Sequence, residues 1–325
     1  MQWTAAATRH VAASPAVRGS YPTLARQSSV AELTVRRRRR LRRGALDWYP
    51  QRAQVSLGMP STDLETTEAH AAAAGGSAKR DYVRRIFSEI APRYDLLNHL
   101  LSFNIDRRWR RRAIARLDPT RRAGGLYLDL CAGTLDVASD LSRTRGFRGL
   151  VLGTDFAEPM LRAGLRKAPR VLVAPVTADV LELPLADDAA AGAIVAFGIR
   201  NVASLDAALA EVYRVLEPGG RFVILEFSTP RSVAVRMAYH AYFHTVLPAV
   251  GRVVSGHRTA YRYLPESVAH FPVQEQLARA MQAAGFVDVR WESLTLGVAA
   301  IHSGDKPRPA TTSAPVSTRP THPTT

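Results

Sequence analysis

From residue 125 onward, short apolar runs alternate with segments whose apolar residues recur every three or four positions. The runs are "GLYLDL" (125–130), "GLVLGTDF" (149–156), "VLVAPVTAD" (171–179), "AGAIVAF" (191–197) and "RFVILEF" (221–227). Their length suits strands, and their continuous apolar character predicts strands covered on both faces, as in a parallel sheet. The segments 135–144, 158–167 and 203–216 read as helices between them. In the last of these, Leu205, Leu209, Val212 and Leu216 fall on one helical face, Ser204 suits the N-cap, and Pro218-Gly219-Gly220 ends the pattern. Residues 232–247 continue as a helix, 256–267 are irregular, and 273–285 are helical. "VDVRWESL" (287–294) and "GVAAIHS" (297–303) predict a closing hairpin. Upstream, 78–117 is helical, with breaks near Pro92 and across 102–106. The pattern predicts an α/β fold: a doubly wound, mostly parallel seven-stranded sheet with a helical lid over 78–117.

The two ends of the chain lack this periodicity. Residues 1–58 hold 11 Arg, no Lys and only Glu32 and Asp47 as acids, so they carry +9 of the net +16. With "VRRRRRLRRG" (35–44) at its centre, residues 1–75 are expected to be a disordered Arg-rich extension, with Met59 as an alternative start. The Pro/Thr/Ser-rich 304–325 is expected to be a disordered tail, which leaves 78–303 as the folded domain. The single cysteine, Cys131, rules out a disulfide within this chain and points to a reducing compartment. No apolar run reaches the roughly 18 residues of a membrane-spanning helix. His240, His244 and His257 lack zinc-binding spacing, so no metal is expected.

In a doubly wound sheet, ligands bind beyond the carboxyl ends of the strands. The first strand ends in "DLCAGTLD" (129–136), which offers Asp129, Gly133 and Thr134. Backbone N–H groups at this strand-to-helix turn face whatever lies over the sheet. Asp155 ends the second strand, where a carboxylate can accept both hydroxyls of a ribose. A dinucleotide site has the same outline but needs three glycines so that a pyrophosphate can approach the helix, and this turn has one. The ligand it suits is an adenosine without a pyrophosphate, which points to S-adenosyl-L-methionine. Asp179, with Val180, follows the third strand and is placed to meet the adenine edge.

Residues 82–303 resemble the menaquinone/ubiquinone-biosynthesis C-methyltransferases, a class I, Rossmann-like family. The likeness rests on "LDLCAGTLDVASDL", "GTDFAEPMLRAGLRK" and "AFGIRNVASLDAALAEVYRVLEPGGRFVILEFSTP", with "YLPESV" and "FPVQE" downstream. The resemblance implies methylation, dependent on S-adenosyl-L-methionine, of a ring carbon of a polyprenyl quinol, demethylmenaquinol or a ubiquinone-precursor benzoquinol. It implies cofactor contacts at Thr134, Asp155, Asp179 and Val180. Two positions depart from the pattern. Leu135 replaces a second glycine and is expected to narrow the approach of backbone to cofactor, and Ala196 stands where some members have a serine.

Carbon methylation needs electron density on the ring, which loss of a phenolic proton supplies. Arg200, after the fourth strand, is the candidate cation to stabilise the phenolate; without that role it would cap a carbonyl or pair with an acid. Tyr94 is the candidate for a hydrogen-bond chain to the quinol hydroxyl, with Asn98 and Asn201 orienting the ring. "DRRWRRRAIARL" (106–117) predicts a solvated basic face around Trp109, suited to anionic lipid headgroups. The expected setting is cytoplasmic and peripheral to the inner face of the membrane. The quinol and membrane lipid are the expected partners, a homodimer is compatible, and nucleic acid is not expected. Two other readings remain open at this point, an RNA methyltransferase and a non-catalytic cofactor-binding assembly subunit. Against the first, "FGIRN" is unlike the Asn-Pro-Pro-aromatic motif that grips a flipped base.

Overall fold

The computed structural model describes residues 76–91, 102, 104–242, 245, 263 and 267–309. In chain order its elements are helices α1 (Gly76–Ile90) and α2 (Ile105–Leu117), strand β1 (Leu126–Leu130), α3 (Asp136–Ser142), β2 (Leu150–Asp155), α4 (Glu158–Gly164), β3 (Val173–Thr177) and β4 (Ala190–Ala196). After a 3-10 turn (Ile199–Asn201) come α5 (Leu205–Val215), β5 (Leu216–Phe227), α6 (Val233–Ala241), α7 (Gln274–Ala283), β6 (Val287–Leu294) and β7 (Ala299–Asp305). The strands form one seven-stranded sheet in the order β3-β2-β1-β4-β5-β7-β6. The pairings among β1 to β5 are parallel, and β7 runs antiparallel between β5 and β6. The chain winds outward from β1 to β3 and then returns to β4 beside β1. That reversal opens a crevice above the carboxyl ends of β1 and β4.

Successive strand residues point to opposite faces, and both faces are covered. Tyr127, Val151, Ile194, Val223 and Leu225 pack with Ala113, Ile114 and Leu117 of α2 and with Val137 and Leu141 of α3. Leu128, Leu130, Leu152, Val195, Phe222 and Ile224 pack on the other face with Leu209 and Val212 of α5 and Leu277 and Met281 of α7. This two-sided burial explains why the strands read as unbroken apolar runs. Ser204 caps α5 by accepting from the Ala207 amide, as its place before the periodic residues predicts.

Two expectations need revision, and the lid over 78–117 is described in part: α1 lies over the ligand edge, and α2 buries Trp109, Ala113, Ile114 and Leu117 as a member of one helical layer. Strand β5 begins early, because Leu216 pairs with Ala190 before a register shift lets Arg221 pair with Gly192; Gly219, at φ 82°, accommodates the irregularity. Leu135 does not narrow the cofactor approach. It adopts φ 63°, ψ 24° ahead of α3, and this left-handed geometry sends its side chain into the core, fully buried. There it fills the space left by Gly153, where an added Cβ would lie 2.6 Å from Leu135 Cδ2. The irregular segment expected over 256–267 and the end of the helix expected over 232–247 lie mostly outside the described residues, as do the two terminal segments.

A left-handed leucine costs about 1 kcal/mol or slightly more in backbone energy, whereas deleting a buried leucine side chain costs about 2–5 kcal/mol. Leu135→Gly is therefore expected to destabilise the fold by roughly 1–3 kcal/mol while leaving cofactor affinity unchanged. Urea unfolding and titration calorimetry on the same variant check both parts. A weakened cofactor affinity at unchanged stability would return Leu135 to the site.

Candidate active site

The turn after β1 is held by buried polar contacts. Asp129 accepts the Ala138 amide through Oδ2 at 2.8 Å, which satisfies one of the free N–H groups at the start of α3. Burial pushes its carboxyl up to about 8, against that hydrogen bond and the Arg110 cation. Asp129 is buried and lies outside the lining of the cleft, where it supports the turn. Thr134 is likewise buried, and its hydroxyl accepts from Lys167 Nζ at 2.9 Å on the side away from the cleft. Lys167 and Arg110 both engage Asp136, each at 2.6 Å. Burial would raise the Asp136 carboxyl, and the two cations outweigh it and hold it below its ordinary value. Of the expected first-turn contacts, Gly133 lines the cleft.

Asp155 joins this turn to the end of β2. Its Oδ2 accepts the Gly133 amide at 2.9 Å and its Oδ1 accepts the Ala157 amide at 2.8 Å. Burial raises its pKa, opposed by backbone hydrogen bonds from Ala157, Gly133 and Phe156. With three backbone donors on about four lone-pair sites, the carboxylate keeps room for a further donor. Asp179 and Val180 line the cleft beyond β3, as expected. Asp179 Oδ1 accepts the Leu181 amide, and Oδ2 pairs with Arg80 Nε of α1 at 2.8 Å. The cleft holds about 630 Å³ of empty space, its open mouth included. Arg80, Val83 and Phe87 of α1 and Phe156 and Met160 beside β2 complete its walls. These five were not anticipated. The apolar spacing of α1 shows that one face is buried but carries no mark of what it covers.

The end of β4 forms the opposite wall. Phe197 stands at φ 63°, and Gly198 passes so close to Cys131 that an added Cβ would lie 2.3 Å from the cysteine Cβ. Cys131 also lines the cleft, with its thiol pushed well up by burial and by surrounding carboxylates. Asn201 lines the cleft too; it is buried, and its Oδ1 has no hydrogen-bond partner among the described residues. A buried amide oxygen left without a donor is costly unless a ligand supplies one.

The structure corrects the reading of Arg200. Its guanidinium does not line the cleft but turns into the protein, buried, where Nη1 pairs with Glu226 Oε1 at 2.9 Å and also donates to the Phe197 carbonyl. Nε donates to Ser267 Oγ at 3.3 Å, the cation lies 5.6 Å from the centre of the Phe227 ring, and the Arg200 amide donates to Glu226 Oε2 at 3.3 Å. The carbonyl cap and the acid pair are thus both present, and Arg200 braces the turn that carries Asn201. From α1, Lys79 Nζ donates to the Arg200 carbonyl at 2.9 Å, its own pKa lowered by burial and by the Arg200 charge. Glu226 was missed in the sequence, although an acid closing an apolar strand at the ligand edge is a usable signal. Tyr94 and Asn98 lie outside the described residues. Among the described residues no cluster could hold a metal ion, and no helix is long and apolar enough to cross a membrane.

Residues 76–306 match the ubiE/COQ5 methyltransferase family. A demethylmenaquinone methyltransferase of Thermus thermophilus is 52% identical over 224 residues, covering 68% of this chain and 100% of the relative. The ubiquinone/menaquinone biosynthesis C-methyltransferase UbiE of Geobacter sulfurreducens is 44% identical over 232 residues, covering 70% of this chain and 90% of the relative. Among solved structures, the cyclase SpnF shares the fold with a TM-score of 0.51 at 17% identity, covering 70% of this chain and 96% of that one. A cyclase on the same fold shows that architecture alone does not define the reaction.

Two outcomes follow from the buried charges. A carboxyl raised in the folded state adds stability that is complete below the ordinary value of 3.8 and is lost as pH rises through about 8. Asp129→Asn is therefore expected to remove a loss of up to about 1.4 kcal/mol per pH unit across that window. Urea midpoints measured from pH 5 to 8 would reveal it, and parallel curves for both proteins would refute the neutral carboxyl. Arg200→Gln strands the buried Glu226 charge and is expected to cost about 3 kcal/mol or more of stability. Adding Glu226→Gln should restore a good part of that loss. Equal unfolding midpoints for wild type and Arg200→Gln would dismiss the ion pair as a brace.

Proposed function

Because the chain belongs to the ubiE/COQ5 methyltransferase family, we propose that it methylates a ring carbon of a polyprenyl quinol, with demethylmenaquinol as the acceptor and S-adenosyl-L-methionine as the donor. The observation that carries this reading is one cleft that presents two acceptors: the Asp155 carboxylate at the end of β2, with room beyond its backbone donors, and Asn201 Oδ1 at the end of β4, which lacks a donor among the described residues. The first suits the paired hydroxyls of a ribose, and the second suits the hydroxyl of a quinol. When bound, the sulfonium cofactor supplies an electrophilic methyl group.

The residues of the chain do the rest by position. Gly133 and Ala157 amides fix the Asp155 carboxylate, so it meets the ribose without reorganisation. Asp179 and Val180 border the adenine end, and Arg80, Val83 and Phe87 cover it from α1 and limit water. Asn201 orients the acceptor by accepting its hydroxyl proton in a hydrogen bond. Arg200 acts through the turn, holding Asn201 in place while Glu226 balances its charge. In the transfer the sulfonium's S–CH3 bond would break as the ring carbon–methyl bond forms, S-adenosyl-L-homocysteine would leave, and the quinol would give up one proton to solvent.

The test is methyl transfer from labelled S-adenosyl-L-methionine to demethylmenaquinol, a demethylated benzoquinol and total RNA in parallel. Label is expected in the demethylmenaquinol product; label in RNA alone would overturn the reading. With the same assay in hand, Asp155→Ala is expected to raise the dissociation constant of S-adenosyl-L-methionine by about 10- to 100-fold, from loss of two charge-assisted hydrogen bonds. Unchanged affinity in a folded variant, measured by calorimetry, would remove Asp155 from the cofactor site.

A further inference from the structure

The apolar side chains left in water are not equivalent at the two edges of the sheet. Leu150, Val171 and Val287 stand singly near the starts of β2, β3 and β6, on the edge away from the cleft. On the cleft edge, Val233 and Met237 are 60% and 68% exposed, one helical turn apart on α6, and Leu296 is 76% exposed in the turn between β6 and β7. Leu296 stands at φ 57°, ψ 22°. A leucine in that conformation and in water is disfavoured on two counts, which calls for a compensating role.

Beside this turn lies the start of α2, tied to it by a hydrogen bond from Trp109 Nε1 to Thr295 Oγ1 at 3.0 Å. Trp109 also contacts Phe197 and Phe227 at the ends of β4 and β5, so the first turns of α2 belong to the cleft edge. Arg107, Arg108 and Arg111 are exposed there, and none makes an ion pair among the described residues, although Arg111 lies near enough to Asp140 to favour its charged form. Further along α2, by contrast, Arg112 and Arg116 share Glu292. An exposed apolar rim next to uncompensated arginines fits the boundary between headgroups and acyl chains of an anionic bilayer.

We propose that Leu296, Met237 and Val233, flanked by Arg107, Arg108 and Arg111, form the surface by which the chain docks on an anionic lipid bilayer. Docking there turns the β4 end of the cleft, with Asn201, toward the membrane. This rests on the polyprenyl-quinol reading, since an acceptor with that tail resides in the bilayer and only its ring must reach Asn201.

Residues 1–58 carry 11 arginines, so total vesicle binding does not isolate the rim and a local readout is needed. In the full-length chain, Leu296→Cys, Met237→Cys and Val171→Cys are each labelled with a polarity-sensitive fluorophore, with dye-treated wild type as the control for Cys131. Vesicles of phosphatidylcholine with and without phosphatidylglycerol are then added. The probes at 296 and 237 are expected to shift to the blue with anionic vesicles, while the probe at 171, which is 86% exposed in the wild type, stays unchanged. Adding R107E/R108E/R111E should weaken the vesicle dependence of the 296 signal about tenfold or more, and salt should weaken it further. Silent probes at 296 and 237 on vesicles that bind the chain, or an equal response at 171, would overturn the docking surface. Transfer to a short-tailed quinol in detergent separates the two readings. Its absence in wild type defeats the acceptor assignment, whereas transfer with silent probes defeats the docking surface alone.

Discussion

The Asp155 carboxylate fixes the ligand edge of the sheet. Its two oxygens accept amides from the turn after β1 and from the start of α4, so the ends of β1 and β2 are held in one arrangement. Burial opposes the charge and the backbone donors offset part of that opposition, which leaves the pKa raised. With Gly133 fixed in this way, the chain turns through left-handed positions at Cys131, Gly133 and Leu135 before α3 begins. Each non-glycine residue among them costs about 1 kcal/mol or more, sustained only because neighbouring contacts over-determine it. Leu135 is held by core packing against Gly153, and Cys131 by the close approach of Gly198.

The electrostatics separate structural from available charge. A net charge of +16 invites a nucleic-acid reading, but many arginines of the folded region are consumed internally. Arg221 is paired with Asp305, Arg214 with Glu211 and Asp187, and Arg110 with Asp106 and Asp136. The Arg221 and Arg214 pairs are partly exposed and add little stability, whereas in the Arg110–Asp106 and Arg200–Glu226 pairs both partners are buried. Removing either Arg200 or Glu226 leaves an uncompensated charge between β4 and β5, next to the turn that carries Asn201.

The strands and most helices are legible in the sequence because two-sided burial writes itself as apolar runs, and the switch between β1 and β4 follows from their number and order. Asp155, Asp179 and Gly133 are legible too, since strand ends locate them. Other features depend on contacts that spacing does not encode. The partner of Arg200 lies 26 residues away, and its approach depends on the register that sets Val195 beside Ile224 and Ala196 beside Leu225. The direction of Leu135 depends on a backbone conformation that its residue type disfavours, so its sequence suggested crowding where the structure places packing. Asp129 sits in the same motif as Gly133, yet the alternation of side chains along β1 turns it beneath the turn instead of into the cleft.

These differences expose a division within the site. The cofactor half, over β1 to β3, is built from backbone donors and carboxylates whose geometry is set locally. The acceptor half, over β4 and β5, is set by long-range contacts: Lys79 on the Arg200 carbonyl, Glu226 on its amide and guanidinium, and Ser267 on its Nε. The two halves are coupled through α1, since adjacent residues Lys79 and Arg80 reach the acceptor turn and Asp179 respectively. Displacing α1 would break both contacts together, so cover over the cofactor and alignment of Asn201 are features of one arrangement of the chain. A helix that joins the two halves in this way makes an aligned acceptor group and a covered donor conditional on each other, which favours transfer to the quinol over exposure of the donor to water.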